Sequence, residues 1–266
     1  MWSLISHDQN RDIIHAFHPS TVLYFLNEYD CYTETVIWIY QTYRLLIEVI
    51  HQKLIKTPLY NVNDWTNRDY EIVQKAISTF DLPHRKILLK YMKMMFKFDA
   101  SIDVLDVGGG IGSSVINCAG QFTNCSFEVL EIQKKAIEVG QAYANSKKMF
   151  NIHFTNADVR FYNFPNDKYD LIFVDAVFLY LNDIESKMLL RNLIRSAKKY
   201  IIIVDFNFSN RFLRTTYRIR DGYIHNFYKS LSSESIRKIK ISQIGESGFT
   251  GRWAHFGSII EIEIEK

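Results

Sequence analysis

The rhythm of hydrophobic and polar positions changes near residue 100. Before that point apolar residues recur every three or four positions, which predicts helices over Glu34–Lys56, roughly Asn67–Phe80 and Pro83–Phe98. Asp81, ahead of Leu82-Pro83, fits the end of one helix and the start of the next. From Ser101 short β-branched runs take over. They predict strands at Asp103–Val107, Ser126–Leu130, Asn151–Thr155, Leu171–Val174 and Tyr200–Val204. Helices are expected over Gln133–Met149 and Ile184–Lys199, and a helix-compatible segment begins at Ser113. Such alternation implies a parallel sheet with crossover helices. Arg237–Ile244 and Gly257–Glu265 have no helix between them, so they read as a terminal antiparallel pair. The last strand, IIEIEIE, alternates strictly, as if one face were solvated. A strand between two others in such a sheet is usually covered on both faces, so the pattern and the expected position are in tension.

Composition sharpens this only in part. With 266 residues, 47% hydrophobic and 15% aromatic, the chain can build one sizeable α/β domain and an appendage, and wholesale disorder is excluded. A formal charge of +3 is too small to predict nucleic-acid binding. Cys31, Cys118 and Cys125 form no CxxC or His/Cys metal spacing and read as reduced thiols. The opening MWSLISHDQNRD lacks a signal-peptide pattern, and the apolar segment Thr35–Ile50 is interrupted by Arg44 and Glu48. The expectation is a cytoplasmic protein with no membrane partner.

Chemistry concentrates in IDVLDVGGGIGSSV, Ile102–Val115. An apolar run leads through Asp106 into Gly108, Gly109, Gly110 and Gly112, then into a helix. Glycine permits positive φ and close backbone approach, so a turn of this kind between strand and helix can wrap a nucleoside. Glu131 ends the second strand 19 residues beyond Gly112, where an acid suits the hydroxyls of a ribose; Ile132 follows it. Asp158 and Val159 sit just after the third strand, with the acid placed to accept from an adenine amino group and Val159 offering a backbone contact. Asp175 ends the fourth strand and Asp205 the fifth. An acid can cap a helix by chance; acids at five successive strand ends are harder to dismiss.

At these residues the chain resembles the class I S-adenosylmethionine-dependent methyltransferases, from Ile102 to Lys266. The family's acid-x-Gly-x-Gly-x-Gly motif is matched by Asp106, Gly108, Gly110 and Gly112, and Gly109 gives the triple-glycine form of many small-molecule O-methyltransferases. The resemblance implies a Rossmann-like, mostly parallel seven-stranded sheet with a reversed terminal pair, an α/β domain over 101–266. Residues 1–100 would be a helical cap or dimerisation region, and a homodimer through those helices is expected. It implies S-adenosyl-L-methionine as cofactor: Asp106 and the glycines would hold its methionine part, Glu131 the ribose, Asp158 with Val159 the adenine.

The reaction implied is methyl transfer to a small molecule, with a hydroxyl oxygen favoured. The related plant enzymes place a histidine base shortly after the fourth strand, but this chain has VFLYLND there. Tyr180, Asp175 and His225 are the replacement candidates for the base; His255 ranks behind them. Asp175, Asp205 and Asn207 partly imitate a magnesium triad, although helix capping and cofactor contacts are the plainer reading and no metal is assigned. Arg211, Arg214 and Arg218 would share a helix face and suit an anionic acceptor, or simply solvate it. The aromatic residues Phe17, Tyr24, Phe25, Tyr29, Trp38, Tyr40 and Tyr43 could close over an apolar acceptor, or be core.

Rival readings are fewer. The basic segments HRKILLKYMK and RKIK are interleaved with apolar residues and read as amphipathic faces. With Asp175-Ala176-Val177-Phe178 where base-methylating enzymes carry an Asn/Asp-Pro-Pro-aromatic motif, nucleic acid is not expected as a partner. Aminopropyl or aminocarboxypropyl transfer, of the polyamine- or nicotianamine-synthase type, is the alternative from another reaction class. A non-catalytic cofactor-binding partner protein is the third.

Overall fold

A computed structural model describes residues 85–95, 101–208, 223–231, 236–244, 253 and 257–265. The helices expected over Glu34–Lys56 and Asn67–Phe80 lie outside the described residues, as do the N-terminal aromatic set, Cys31, His255 and the three arginines at 211, 214 and 218.

The first described helix, α1 (Lys86–Met95), falls within the span predicted for Pro83–Phe98. It buries Leu88, Met92 and Met95 and exposes Lys86, Lys90 and Lys93, which makes its basic positions the outer stripe of an amphipathic helix. Then come β1 (Asp103–Val107), α2 (Ser113–Ala119), β2 (Ser126–Glu131), α3 (Lys134–Ser146), β3 (Ile152–Asn156) and β4 (Tyr169–Asp175). A 3₁₀ turn, Phe178–Tyr180, leads to α4 (Asp183–Ser196) and β5 (Ala197–Phe206); α5 (Phe227–Leu231), β6 (Ile236–Gln243) and β7 (Gly257–Ile264) complete the chain.

The seven strands run in the order β3-β2-β1-β4-β5-β7-β6. β1 to β5 pair in parallel, and β7 is antiparallel to both β5 and β6. This is the α/β sheet with a reversed terminal pair that the alternation of elements predicted. Its central strands are buried on both faces. One face, carrying Leu105, Val107, Ile172, Val174, Ile201 and Ile203, packs on α4 and α5. The other, carrying Val104, Phe127, Phe173, Ile202 and Val204, packs on α1 and α2.

At two boundaries the difference from the sequence reading has a clear physical reason. Helix α4 stops at Ser196 and the chain turns straight into strand at Ala197, so Lys198 and Lys199 are strand residues. Their amines reach strand-start acids: Lys198 Nζ lies 3.6 Å from Asp103 Oδ2 and 3.5 Å from Asp170 Oδ2, and Lys199 Nζ lies 3.8 Å from Asp170 Oδ1. Asn151, read as strand, precedes β3; its side-chain amide donates to the carbonyls of Ala119, Phe122 and Cys125 and fastens α2's end to the sheet.

The alternation of the last strand also finds its explanation. In the β5–β7 register Glu261 lies opposite Ile202 and Glu263 opposite Tyr200. Their face is the one covered by α1, but the covering is polar: the Tyr91 hydroxyl donates to Glu261 Oε2, Lys240 Nζ lies 2.8 Å from Glu261 Oε1, and Arg237 Nη1 lies 3.1 Å from Glu263 Oε1. Ile260, Ile262 and Ile264 point into the opposite, apolar core. Among the described residues no helix is long and apolar enough to cross a membrane.

Candidate functional site

The strand ends β1, β2, β4 and β5 share the carboxyl edge of the sheet, where open parallel α/β sheets bind ligands. Asp106 is fully buried, and neither carboxylate oxygen has a hydrogen-bond partner among the described residues. Burial, with Asp175 and Glu131 adding to it and Arg85 opposing, pushes its pKa up to about 8. A buried carboxyl left without donors is costly in a finished fold.

The glycine turn builds the roof over it. Gly108, Gly110 and Gly112 have φ of 67°, 60° and 79°. The turn is held down where Gly108 N–H donates to the Leu130 carbonyl at 2.7 Å, and Gly112 N–H closes it onto Gly109 O at 2.9 Å. A β-carbon at Gly109 would sit 2.5 Å from Asp106 Oδ2 and 2.8 Å from Val129 Cγ1, so only glycine lets the chain lie this close to the acid. One at Gly110 would meet nothing within 4 Å, which shows the turn's open side.

Glu131 closes β2 beside this turn, mostly buried. Its Oε2 accepts from Gly110 N–H at 2.9 Å and its Oε1 from Gln133 N–H at 2.8 Å. Burial raises its pKa, against the peptide N–H groups of Gln133, Gly110 and Ile132. The Ile132 and Glu131 carbonyls both accept from the Asn156 side chain, which ties the tip of β2 to the end of β3.

Asp158 stands one turn beyond β3, but its carboxylate is engaged. Arg160 donates from Nε to both of its oxygens at 3.0 Å and from Nη2 to Oδ2, and Arg160 Nη1 lies 3.5 Å from Glu185 Oε1. Glu185 in turn completes a capping box with Asn182 at the start of α4. The loop that would face an adenine is thereby anchored to α4. Despite the cost of burial, these bonds from Arg160 hold Asp158 below its ordinary value. Val159 is half-buried against the core.

Asp175 ends β4, with Arg85 Nε 3.5 Å from its Oδ2 and the two side chains 13% and 18% exposed. The next residue, Ala176, has φ of 58°, a left-handed conformation that a residue with a side chain adopts at a cost. That kink drops the chain into the Phe178–Tyr180 turn, whose half-buried Tyr180 stays at the sheet edge.

Asp205 and Asn207 serve the backbone. Asp205 is fully buried and accepts from the N–H groups of Phe178 at 2.7 Å, Leu179 at 3.3 Å and Phe206 at 2.7 Å. Burial nevertheless pushes its pKa up to about 7, these donors opposing and Asp175 adding a little. Asn207 Oδ1 accepts from Phe227 N–H. Of the three residues that imitate a magnesium triad, Asp205 and Asn207 thus hold backbone turns. Among the described residues no three His, Cys, Asp or Glu side chains group as a metal site needs.

His225 is 4% exposed, and its Nε2–H donates to the Phe178 carbonyl at 2.8 Å. A carbonyl only accepts, so Nε2 carries the proton. The ring packs edge-on against Phe178 and Phe227 and stacks on Tyr223, with Nδ1 3.9 Å from Asp183 Oδ1. Asp205 and His225 thus grip the Phe178–Tyr180 turn from its N–H side and its carbonyl side.

Residues 104–200 match the family model described as Methyltransferase domain. The matched segment runs from β1 into β5. Its sheet is the class I, Rossmann-like form, and solved structures repeat it. Magnesium protoporphyrin IX methyltransferase from Synechocystis PCC 6803, crystallised with bound S-adenosylmethionine, superposes with a TM-score of 0.51 at 18% identity, covering 73% of this chain and 84% of that one. Phosphoethanolamine N-methyltransferase 2 from Haemonchus contortus, in complex with S-adenosyl-L-methionine, gives 0.59 at 12% identity over 76% and 59% of the two chains. Coclaurine N-methyltransferase bound to N-methylheliamine and S-adenosylhomocysteine gives 0.54 at 15% over 79% and 74%. At such identities the likeness establishes the fold. No curated protein matches the sequence.

Within this segment the structure brings Asp106, the glycines, Glu131 and Asp175 to one edge. It adds three residues that the sequence reading missed. Arg160 had a local signal, its spacing two residues after Asp158; Ala176 had none, since nothing in its type demands positive φ. Arg85 had none either, because 90 positions separate it from Asp175.

Proposed function

We propose that this protein transfers a methyl group from S-adenosyl-L-methionine to a small-molecule acceptor, with a hydroxyl oxygen as the receiving atom. The observation that carries the reading is Asp106: a wholly buried carboxylate without hydrogen-bond donors, directly beneath a glycine turn with an open side. The donor is a cation with an adenosyl tail, and when bound it supplies an electrophilic methyl on a sulfonium. Asp106 and the glycine turn fit its methionine head, and Glu131 its ribose hydroxyls. Asp158 can still accept from an adenine amino group through lone pairs that Arg160 leaves, because each carboxylate oxygen has more than one.

Catalysis in this reading is mostly alignment and exclusion of water, a contribution on the order of several kcal/mol. Tyr180 is the best-placed group to orient or deprotonate the acceptor, since it sits on the turn that Asp205 and His225 hold rigid. Asp175 lies against Arg85 and serves binding in this reading. The triple-glycine form of the turn supports oxygen as the acceptor atom, and the modest net charge supports a small molecule over nucleic acid.

The test is calorimetric. The full chain should bind S-adenosylhomocysteine, and Asp106→Ala combined with Glu131→Ala should abolish binding while the far-ultraviolet dichroism stays that of the wild type. Undiminished affinity in the double variant overturns the assignment. Transfer from an isotope-labelled donor, followed by mass spectrometry, then distinguishes a methyl ether or ester from a methylamine.

A further inference from the structure

Helix α4 carries a surface that the donor reading does not use. Its inner side is anchored by Leu189, Leu190 and Leu193, all buried. Its outer side is not the polar stripe of a helix that meets only water. Ile184 is 72% exposed, and Met188, one turn further on, 53%. Phe161, 82% exposed, is tied to the same end of the helix: the Arg160 guanidinium lies 5.4 Å over its ring, with Nη1 3.5 Å from Glu185 Oε1. Single exposed apolar residues are ordinary on a protein surface, whereas a grouped set marks a contact site. Three of the six large apolar side chains exposed among the described residues belong to this one place.

We infer that the outer face of α4 pairs with the same face of a second copy, antiparallel and across a two-fold axis near Met188. The charges of the helix argue for this occupant. Asp183 opens the exposed stripe, and Lys187, Arg191 and Arg195 follow along it. Whatever each touches within its own chain, the stripe is acidic at its start and basic further on. Antiparallel copies set each Asp183 beside the other's Arg191 and each Met188 against its counterpart. One surface thus complements itself, as a two-fold contact requires. Methionine and arginine are also enriched where proteins meet. The helix dipole alone favours this order of charges, but it gives no reason for Ile184, Met188 and Phe161 to face outward. An anionic membrane would attract the three basic residues and repel Asp183. A helix of 14 residues is about 21 Å long, which puts the contact at the small end of specific interfaces. The dimer therefore dissociates on the order of tens of micromolar.

Sedimentation velocity of the full chain, at concentrations from well below to well above that range, tests this. Wild type should pass from monomer to dimer. Met188→Glu places two carboxylates at the axis and should weaken association roughly tenfold or more, with the melting temperature unchanged. Asp183→Arg and Arg191→Glu should each weaken it when alone, because like charges then face each other twice across the axis. Mixed together, these two variants should associate with each other, since both contacts become opposite pairs again. An interface elsewhere on the chain would not respond to the mixture. A wild type that stays monomeric, or a dimer that Met188→Glu leaves intact, overturns the inference and does not touch the donor reading. Flotation of the wild type with phosphatidylserine vesicles, lost in Met188→Glu, overturns it in favour of a membrane.

Discussion

Gly110 donates its peptide N–H to Glu131 Oε2 at 2.9 Å, which ties the crest of the glycine turn to the tip of β2. One carboxylate thus sets the turn, and in the proposed reading its remaining lone pairs go to a ribose. In Glu131→Gln the NH2 that replaces one carboxylate oxygen cannot accept from a peptide N–H, so one of the two backbone donors, Gly110 or Gln133, loses its partner. S-adenosylhomocysteine affinity should fall roughly ten- to hundredfold. Adenosine should lose the same factor, because the ribose is common to both ligands. Adenine affinity should barely move, and an equal drop for adenine would show that the substitution deforms the crevice instead.

Asp106 makes binding depend on pH. Its pKa rises from 3.8 to about 8, through burial first and then the charges of Asp175 and Glu131, against Arg85. A cationic ligand pairs with the ionised form, so below about pH 8 binding expels a proton. Affinity should climb by up to about tenfold per pH unit and level off above pH 8. The heat of binding should vary with the buffer's ionisation enthalpy, and in Asp106→Asn both effects should vanish. Stability runs the other way. The unfolded carboxyl ionises near 3.8, so the folded protein holds the proton more tightly and loses stability as pH rises from about 4 to about 8. Asp106→Asn should gain on the order of 2–5 kcal/mol at pH 9, read by denaturant titration.

The glycines separate fold from function. A β-carbon at Gly109 collides with Asp106 Oδ2 and Val129 Cγ1, so Gly109→Ala should lower stability by about 1–3 kcal/mol. Gly110 has open space beside it, and its cost on substitution is the positive φ alone, about 1 kcal/mol. Gly110→Arg should therefore leave a folded sheet with no measurable S-adenosylhomocysteine binding. A comparable fall in melting temperature for the two variants would contradict this division.

Most of the fold was legible because burial on both faces leaves a strong mark. Val104-Leu105 and Ile201–Val204 are continuous apolar runs, and the acids that end such strands are unusual enough in a core to be noticed. The ends of elements were harder. Nothing in Lys198-Lys199 distinguishes a helix terminus from a strand start, since the acids that pair with them, Asp103 and Asp170, come from other strands. Within the site, the glycine turn and Glu131 could be read because they act through local geometry. Asp205 and His225 could not, because their work on the Phe178–Tyr180 turn is set by tertiary contacts. A histidine after the fifth strand has the same letter whether it takes a proton or holds a loop.

His225 supplies the test of that distinction. Its Nε2–H satisfies the carbonyl of Phe178, and its ring fills space among Phe178, Tyr223 and Phe227. Removing it strips the Phe178 carbonyl of one of its two donors, leaving Leu181 N–H, and opens a void beside three aromatic rings. His225→Ala should cost about 2–4 kcal/mol of stability and loosen the turn that carries Tyr180. His225→Gln can still donate an N–H toward the carbonyl, so it should recover much of that stability. A general base contributes on the order of a hundredfold to ten-thousandfold in rate, and glutamine cannot replace it. If His225 positions the turn, the glutamine variant keeps kcat within roughly tenfold of wild type and the kcat–pH profile keeps its acidic limb. If that limb disappears while the melting temperature holds, His225 is the proton acceptor and Tyr180 is not.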